Sequence, residues 1–478
     1  MGWNFLRRGT KCASCEALRA ESADVKKQLA QALKRIEELE SRLRKNSSNS
    51  SRPPSSDPPW KKAEKAPPSG RKPGGQPGHE GHHRELLSET EMDEVVTVKP
   101  TSCLDCGGGL SGDDPNPHRH QVVEIPKPKA HWMEYVIHTL VCGNCGKRTT
   151  AEWPKGVPKG NFGPRLQGLI ATCSGVYFLS KRTIVEMLGD WWGIPISLGS
   201  VSASEKAVSE ALSGPMAEAV ASVQKAHTAN VDETGWRERW KRAWLWVMVT
   251  PWVTVFLVHA RRNAEAAQAL CGSFKGHLMS DRWRVYLAWP VRKRQLCWAH
   301  LLREFKAFSE MRGSAGRIGK KLRVEADQMF QWWKRVRDGT MSRSTFRQYL
   351  CPLRRRTRHL LEEGARTRNR DLSATCRDLL KLYPALWTFA QVEGVKPTNN
   401  AAERAIRKGV LWRKGSFGTH SAAGSRFAER MLTVAATLRL QNRNIVEFVT
   451  EACEASLVGR KAPSLLPSRR VLTLLKAG

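Results

Sequence analysis

Along residues 15–45 apolar side chains return every three or four positions. Leu18, Val25, Ala32 and Leu39 hold one position, and Cys15, Leu29, Ile36 and Leu43 hold the other, interrupted by Ser22. A 3.5-residue repeat with charged residues between is a coiled-coil seam. An N-terminal helix is therefore predicted within residues 1–45, able to pair with another copy; the other reading is a surface helix packed on its own domain. The pattern then stops. Residues 46–89 are mostly Ser, Pro and Gly with recurring Lys and Arg. Such a composition cannot bury enough apolar surface to fold alone, so a disordered basic linker is expected.

Beyond the linker, Gln121 to Ile125 and His131 to Val141 read as strands within a small module over residues 90–155. From 160 to 226 the period is helical, with Leu166, Leu169, Ile170 and Cys173 on one face. Ser180 to Leu212 reads as helix, turn, helix, with Ser200 or Ser202 as N-cap. A DNA-reading helix-turn-helix and an ordinary helical hairpin fit it equally. A strand at Ala229 to Arg237 comes next, then two strands within Arg242 to Ala260 meeting at Thr250-Pro251, and a helix over Asn263 to Phe274. A strand at Gly276 to Asp281 follows, then a strand at Arg294 to His300 leading into a helix over Leu301 to Glu310. That order is the order of a ribonuclease-H-like α/β core, here residues 227–310. Leu, Arg and Trp at helical spacing from Met311 to Val392 predict a helical insertion over 311–395. The core resumes over 396–455, and 456–478 is a basic tail. The expected fold class is thus multidomain α/β.

Charge narrows the partner. The chain carries 79 Lys and Arg against 45 Asp and Glu, a formal net charge of +34 over 478 residues. That excess repels itself and suits a polyanion, and counterion release makes such binding weaken steeply with salt. Double-stranded DNA is the expected partner. Met1 to Thr10 has no apolar run of a secretory signal, and the longest apolar stretch, Ala243 to Val258, is too short for a bilayer and broken by Pro251. These features predict a cytoplasmic, nucleoid-associated protein without a membrane segment, and one whose twelve cysteines serve as metal ligands or buried thiols rather than disulfides.

Cys103-Leu-Asp-Cys106 and Cys142-Gly-Asn-Cys145 are two C-x-x-C knuckles separated by 35 residues. Four thiolates in two knuckles suit tetrahedral zinc in a zinc-ribbon-like module; the other reading is four unrelated buried cysteines. Cys12 and Cys15 form a third pair with no second knuckle nearby. Asp232 ends the first core strand and Asp281 the fourth, positions that lie side by side in a ribonuclease-H-like sheet. Carboxylates are the ligands for a pair of Mg²⁺ (or Mn²⁺) ions, which can activate the attacking oxygen and stabilise the leaving one in phosphodiester exchange. Strand-end turn residues would explain the same aspartates. Glu403, 122 positions beyond Asp281, opens a helix. It is either a third metal ligand or, with Asn400 as N-cap, the closing residue of a capping box. His300, in Cys297-Trp-Ala-His300, could orient a metal-bound water or a phosphate, or simply pack at a strand end. The absence of a G-x-x-x-x-G-K-[ST] loop implies no ATP.

Several of these segments together resemble the transposases of the insertion-sequence-66 family. They are KNSSNSSRPPS at 45–55, RKPGGQPGHEGH at 71–82, the paired C-x-x-C module, VDETGWR at 231–237, CWAH at 297–300 and NNAAERAIR at 399–407. The resemblance implies an Asp-Asp-Glu transposase with Asp232, Asp281 and Glu403 as its triad. It also implies a homo-oligomer that pairs element ends and, in some systems, accessory proteins from the same element. Two positions depart from the family: Arg282-Trp283 stands where Gly-Tyr usually follows the second aspartate, and Thr398 where an Asp usually precedes the asparagines. The competing readings are a nuclease of the same core that does not join strands, and a non-enzymatic zinc-bearing DNA-binding protein.

Overall fold

The structure, a computed structural model, describes residues 13–50, 57 and 85–467. Cys12, most of the predicted linker and the end of the basic tail lie outside the described residues. Contacts divide the chain into residues 59–134 with 191–194, and the remainder.

Helix α1 (Ala13–Arg44) follows the heptad. Leu18, Val25, Leu29, Leu33, Ile36 and Leu43 lie on it at 52–86% exposure, an apolar stripe left uncovered within one copy. Residues 46–50 then form a turn in which Asn49 is buried and donates from Nδ2 to Glu310 Oε2 at 2.9 Å. Strands β1 (Thr139–Val141) and β2 (Arg148–Thr150) make a small antiparallel hairpin. The strands expected over 121–125 and 131–138 do not form. Pro126 and Pro128 remove two donors between them. Val122, Val123 and Ile125 stay 73–81% exposed, so no buried face rewards their alternation.

Four helices follow: α2 (Pro164–Gly175), α3 (Lys181–Trp192), α4 (Leu198–Ala211) and α5 (Ser213–Gln224). The cap of α4 is Ser197, three residues before the expected Ser200. Its Oγ accepts from the Ser200 N–H at 3.1 Å, whereas the Ser202 hydroxyl turns back to the Leu198 carbonyl. Ala171, Val208, Leu212 and Val223 of these segments sit in the apolar cluster of the sheet, which makes them part of that core.

The sheet contains β3 (Thr228–Glu238), β4 (Lys241–Val249), β5 (Thr254–His259), β6 (His277–Ser280) and β7 (Arg294–Leu296), with α6 (Ala264–Cys271) between β5 and β6 and α7 (Trp298–Ser309) after β7. Its order is β5-β4-β3-β6-β7. The first three strands are antiparallel neighbours; β6 and β7 run parallel to β3. Arg239 and Trp240 join β3 to β4 with φ of 50° and 68°, the backbone that a two-residue hairpin loop needs to match strand twist. This is a mixed protein with a sheet core and many helices.

Between β7 and the last part of the core lie α8 (Gly313–Arg337), α9 (Arg343–Ala365), α10 (Arg370–Lys381) and the short α11 (Thr388–Gln391). They bury their own apolar cluster around Phe346, Leu361, Trp387 and Phe389, which meets the sheet at Met279 and Leu296. The chain then returns as α12 (Asn400–Ser416), α13 (Ala422–Leu440) and α14 (Ile445–Leu457). Helix α12 presses on the sheet so closely that a Cβ at Gly409 would come within 2.1 Å of Leu245 Cδ2. Helix α13 covers the free edge of β5 in an unusual way. Thr437 Oγ1, Thr433 Oγ1 and Glu429 Oε1 accept from the N–H groups of Thr254, Phe256 and Val258 at 3.1, 3.0 and 2.7 Å. Four residues of helix rise about 6 Å and two residues of strand about 6.6 Å, so the two spacings match. Among the described residues no helix is long and apolar enough to cross a membrane.

Candidate active site

The parallel register of β3 and β6 runs from Thr228↔His277 to Asn230↔Met279. Two residues further along, the strands deliver Asp232 and Asp281 at the same end of the sheet. The carboxyl of Asp232 is held well above the usual carboxylate range. Burial is the main cause, the neighbouring Glu233 the next, and the charges of Asp281 and Glu403 add to it; the Glu233 N–H, donating to Oδ1 at 2.9 Å, opposes them. Asp281, at the end of β6, and Glu403, on α12, thus both act on Asp232, although among the described residues neither aspartate joins Glu403 in a group of donor atoms as close as the one it forms with Cys297 and His300.

Glu403 does not close a capping box. Helix α12 begins at Asn400 with Asn399 as its N-cap, and no side chain caps it. The Glu403 carboxylate instead faces α7, with Oε1 3.6 Å from His300 Nδ1 and 4.0 Å from Cys297 Sγ, and Oε2 3.9 Å from an Arg303 nitrogen. Donor atoms of Cys297, His300 and Glu403 all lie within 4.8 Å of one another. His300 Nδ1 is buried without a hydrogen-bond partner, so it is free to meet a group entering the site. Burial pushes the Cys297 thiol up to about 11 despite N–H groups aimed at its sulfur. A neutral thiol there serves as an acceptor for the Asn399 N–H at 3.2 Å.

Sequence reasoning missed the residue that ties these parts together. Asn399 is 1% exposed; its Nδ2 donates to the Val231 carbonyl at 2.7 Å and its Oδ1 accepts from Asn230 Nδ2 at 2.8 Å. The start of the Glu403 helix is therefore bolted to β3 immediately before Asp232. The doubled Asn399-Asn400 was the available signal, but only one of the pair is buried. Glu233 was missed as well. Its side chain is 2% exposed, held by Arg262 at 2.7 Å and by the Tyr286 hydroxyl at 2.6 Å, while Arg262 lies 4.0 Å from the Trp283 ring centroid. Engaged on both oxygens, Glu233 shapes the floor beside Asp232.

The cysteine knuckles share one local geometry. In the first, the Cys103 N–H donates to Gly108 O at 2.8 Å and the Gly107 N–H to Cys103 O at 3.0 Å; in the second, Cys142 bonds Lys147 O at 2.9 Å and Gly146 bonds Cys142 O at 2.8 Å. Gly107 and Gly146 turn the chain at φ of 70° and 66°, where a side chain would be strained. Within each knuckle, amide N–H groups and the second thiol lower the pKa of the first, Cys103 or Cys142. Each turn thus favours ionisation of its first cysteine.

A family model described as the transposase of the IS66 family matches residues 159–426, from before α2 into α13. The chain belongs to the IS66 transposase family. A second model, described only as a family of unknown function, matches residues 7–85. The chain is also 23% identical over 390 residues to an uncharacterized protein, y4hP, of Sinorhizobium fredii; the match covers 74% of this chain and 70% of that one. In this IS66 member the Arg282-Trp283 departure from the family pattern is accommodated. Arg282 is not among the residues with positive φ, and its guanidinium bridges both oxygens of Glu304 at 2.8 and 2.9 Å. Trp283 donates its N–H to Asp281 Oδ1 at 2.9 Å and stacks beside Trp246. A glycine is not required at 282.

Proposed function

We propose that this chain is an Asp-Asp-Glu DNA transposase in which Asp232, Asp281 and Glu403 hold two Mg²⁺ (or Mn²⁺) ions on a ribonuclease-H-like core. The observation that supports the reading is the placement of Asp232 and Asp281 at the same end of two adjacent parallel strands, with Glu403 near enough to help raise the Asp232 carboxyl. Hard oxygen donors crowded in this way fit divalent magnesium, and two such ions would supply activation of the attacking oxygen and stabilisation of the leaving one. The protein's own residues do the rest. Asn399 fixes the Glu403 helix against β3, Glu233 and Tyr286 hold the strand end, and His300 and Arg303 present an imidazole and a cation where a phosphate would lie. The sheet order, three antiparallel strands followed by two parallel ones, supports the ribonuclease-H-like reading.

The remaining parts fit the same activity. The basic chain binds the ends of an element and a target duplex. The stripe on α1 joins copies so that two ends are brought together, and each knuckle supplies a pair of thiols suited to zinc. Such a protein works in the cytoplasm, on the nucleoid.

The test uses purified protein, duplexes taken from the DNA on either side of its gene, a target plasmid and Mg²⁺. Joined products with wild-type protein, and none with Asp232→Asn at undiminished DNA binding, are expected. Cleavage without joining would favour the nuclease reading, and binding with neither reaction would reduce the chain to a DNA-binding protein.

A further inference from the structure

Away from the carboxylates, a pocket of about 350 Å³ opens between the turn before β7, helix α9 and the segment entering α11. Arg292, Arg354 and Arg358 converge on it, with Tyr383, Thr388 and Gln391 completing the lining. Arg354 and Arg358 lie one turn apart on α9, and each is held over a ring. Their guanidinium carbons are 5.7 Å from the Trp387 centroid and 5.6 Å from the Tyr383 centroid. The Tyr383 hydroxyl donates to the Arg354 carbonyl at 2.5 Å, fastening the ring segment to α9.

The charges at this pocket do not balance. Arg358 pairs with Glu362 at 3.1 Å, but both side chains are largely exposed, at 62% and 41%. An exposed pair of this kind contributes little. Among the described residues no carboxylate pairs with Arg292 or Arg354. Three like charges brought together, two without a carboxylate partner and the third with only an exposed one, cost energy unless an anion joins them. Guanidinium forks preoriented by aromatic faces match the geometry of phosphate oxygens better than ammonium groups do.

We propose that Arg292, Arg354 and Arg358 form a phosphate-binding pocket that grips one backbone phosphate of duplex DNA outside the reacting centre. The assignment rests on the reading of the chain as a DNA-acting enzyme and adds where the duplex is held. The gripped phosphate is not the reacting one. Arg292 precedes the start of β7, whereas Cys297 and His300, beside Glu403, follow its far end; three strand residues alone separate the ends by about 10 Å.

The experiment measures binding of a fluorescent duplex of arbitrary sequence by anisotropy across a salt series, so that no chemistry is needed. The key variant is R354K/R358K, which keeps the net charge but loses the forks. Its affinity should fall about tenfold with the salt slope little changed, because the charge is kept, whereas removing one charge, as in R292Q, should make the slope of log K against log salt shallower by about one. R292Q, a change at an exposed side chain away from the rings, should lower the affinity as well. Inorganic phosphate should compete with the duplex better than chloride at equal ionic strength for wild type, and lose that advantage in R354K/R358K. Wild-type affinity and slope in both variants, with unchanged melting temperatures, would overturn the pocket while leaving the transposase reading intact. Failure of the wild-type chain to bind any duplex would sink the DNA reading and this site with it. Phosphate competition unchanged by the lysine substitutions would assign the effect to diffuse positive charge, and overturn the proposal.

Discussion

The sheet core and the cysteine-bearing stretch from 95 to 153 handle apolar residues in opposite ways. In the core, Trp236, Trp246 and Phe256 are 0–1% exposed and pack against helices from both ends of the chain. In the cysteine stretch Val96, Val98, Val123, Trp132, Val136 and Leu140 are 65–87% exposed, and order is confined to a hairpin and two tight turns around cysteines. The core is specified by burial. The other region is specified by turn chemistry at a few positions, and its apolar side chains stay exposed.

That contrast can be broken or sharpened by experiment. Asp232→Asn should lower strand transfer by at least a thousandfold, measured on gels, while the melting temperature of the core holds or rises because a repelled carboxyl is gone. An unaltered rate would remove Asp232 from the chemistry. Trp246→Ala, deep under the sheet, should cost about 3–5 kcal/mol in denaturant unfolding. The double change Cys103→Ser with Cys106→Ser should lower the zinc content measured by atomic absorption and speed proteolysis within 90–155, yet leave core melting unmoved. Loss of core stability instead would mean that the two regions fold as one.

A smaller effect concerns pH. Burial raises the Glu429 carboxyl to about 7, even though the Val258 N–H bonded to it pulls the other way. Because the folded value lies above the ordinary one, the associated stability is complete below pH 4.5 and lost as pH rises through 7. Glu429→Gln keeps an acceptor for Val258 and should raise the melting temperature at pH 8 by a few degrees, with little change at pH 5. Equal shifts at both values would exclude this titration.

How much was legible follows the same division. Residues 227–310 showed strand and helix periods clearly, and every expected element there is present within a few positions. The heptad likewise marked α1. What sequence could not give was the tertiary company of polar residues. Asn399 and Glu233 are short-range unremarkable; their importance comes from partners up to 169 positions away. Glu403 illustrates the point best, since a capping role and a metal-ligand role look identical until the start of α12 and the facing residues of α7 are known. In residues 121–138 the failure ran the other way, because alternation without a surface to bury against does not make a strand.

The bond from Asn399 to Val231 spans 168 positions of chain. At elongation rates of about 5–20 residues per second, Val231 is made roughly ten to thirty seconds before its partner. A growing or prematurely ended polypeptide therefore holds its basic surface and both aspartates while the glutamate helix is missing. Until that helix arrives, the Val231 carbonyl and the Asn230 side chain lack their partner, so this end of the sheet is completed only when the last part of the chain has been made.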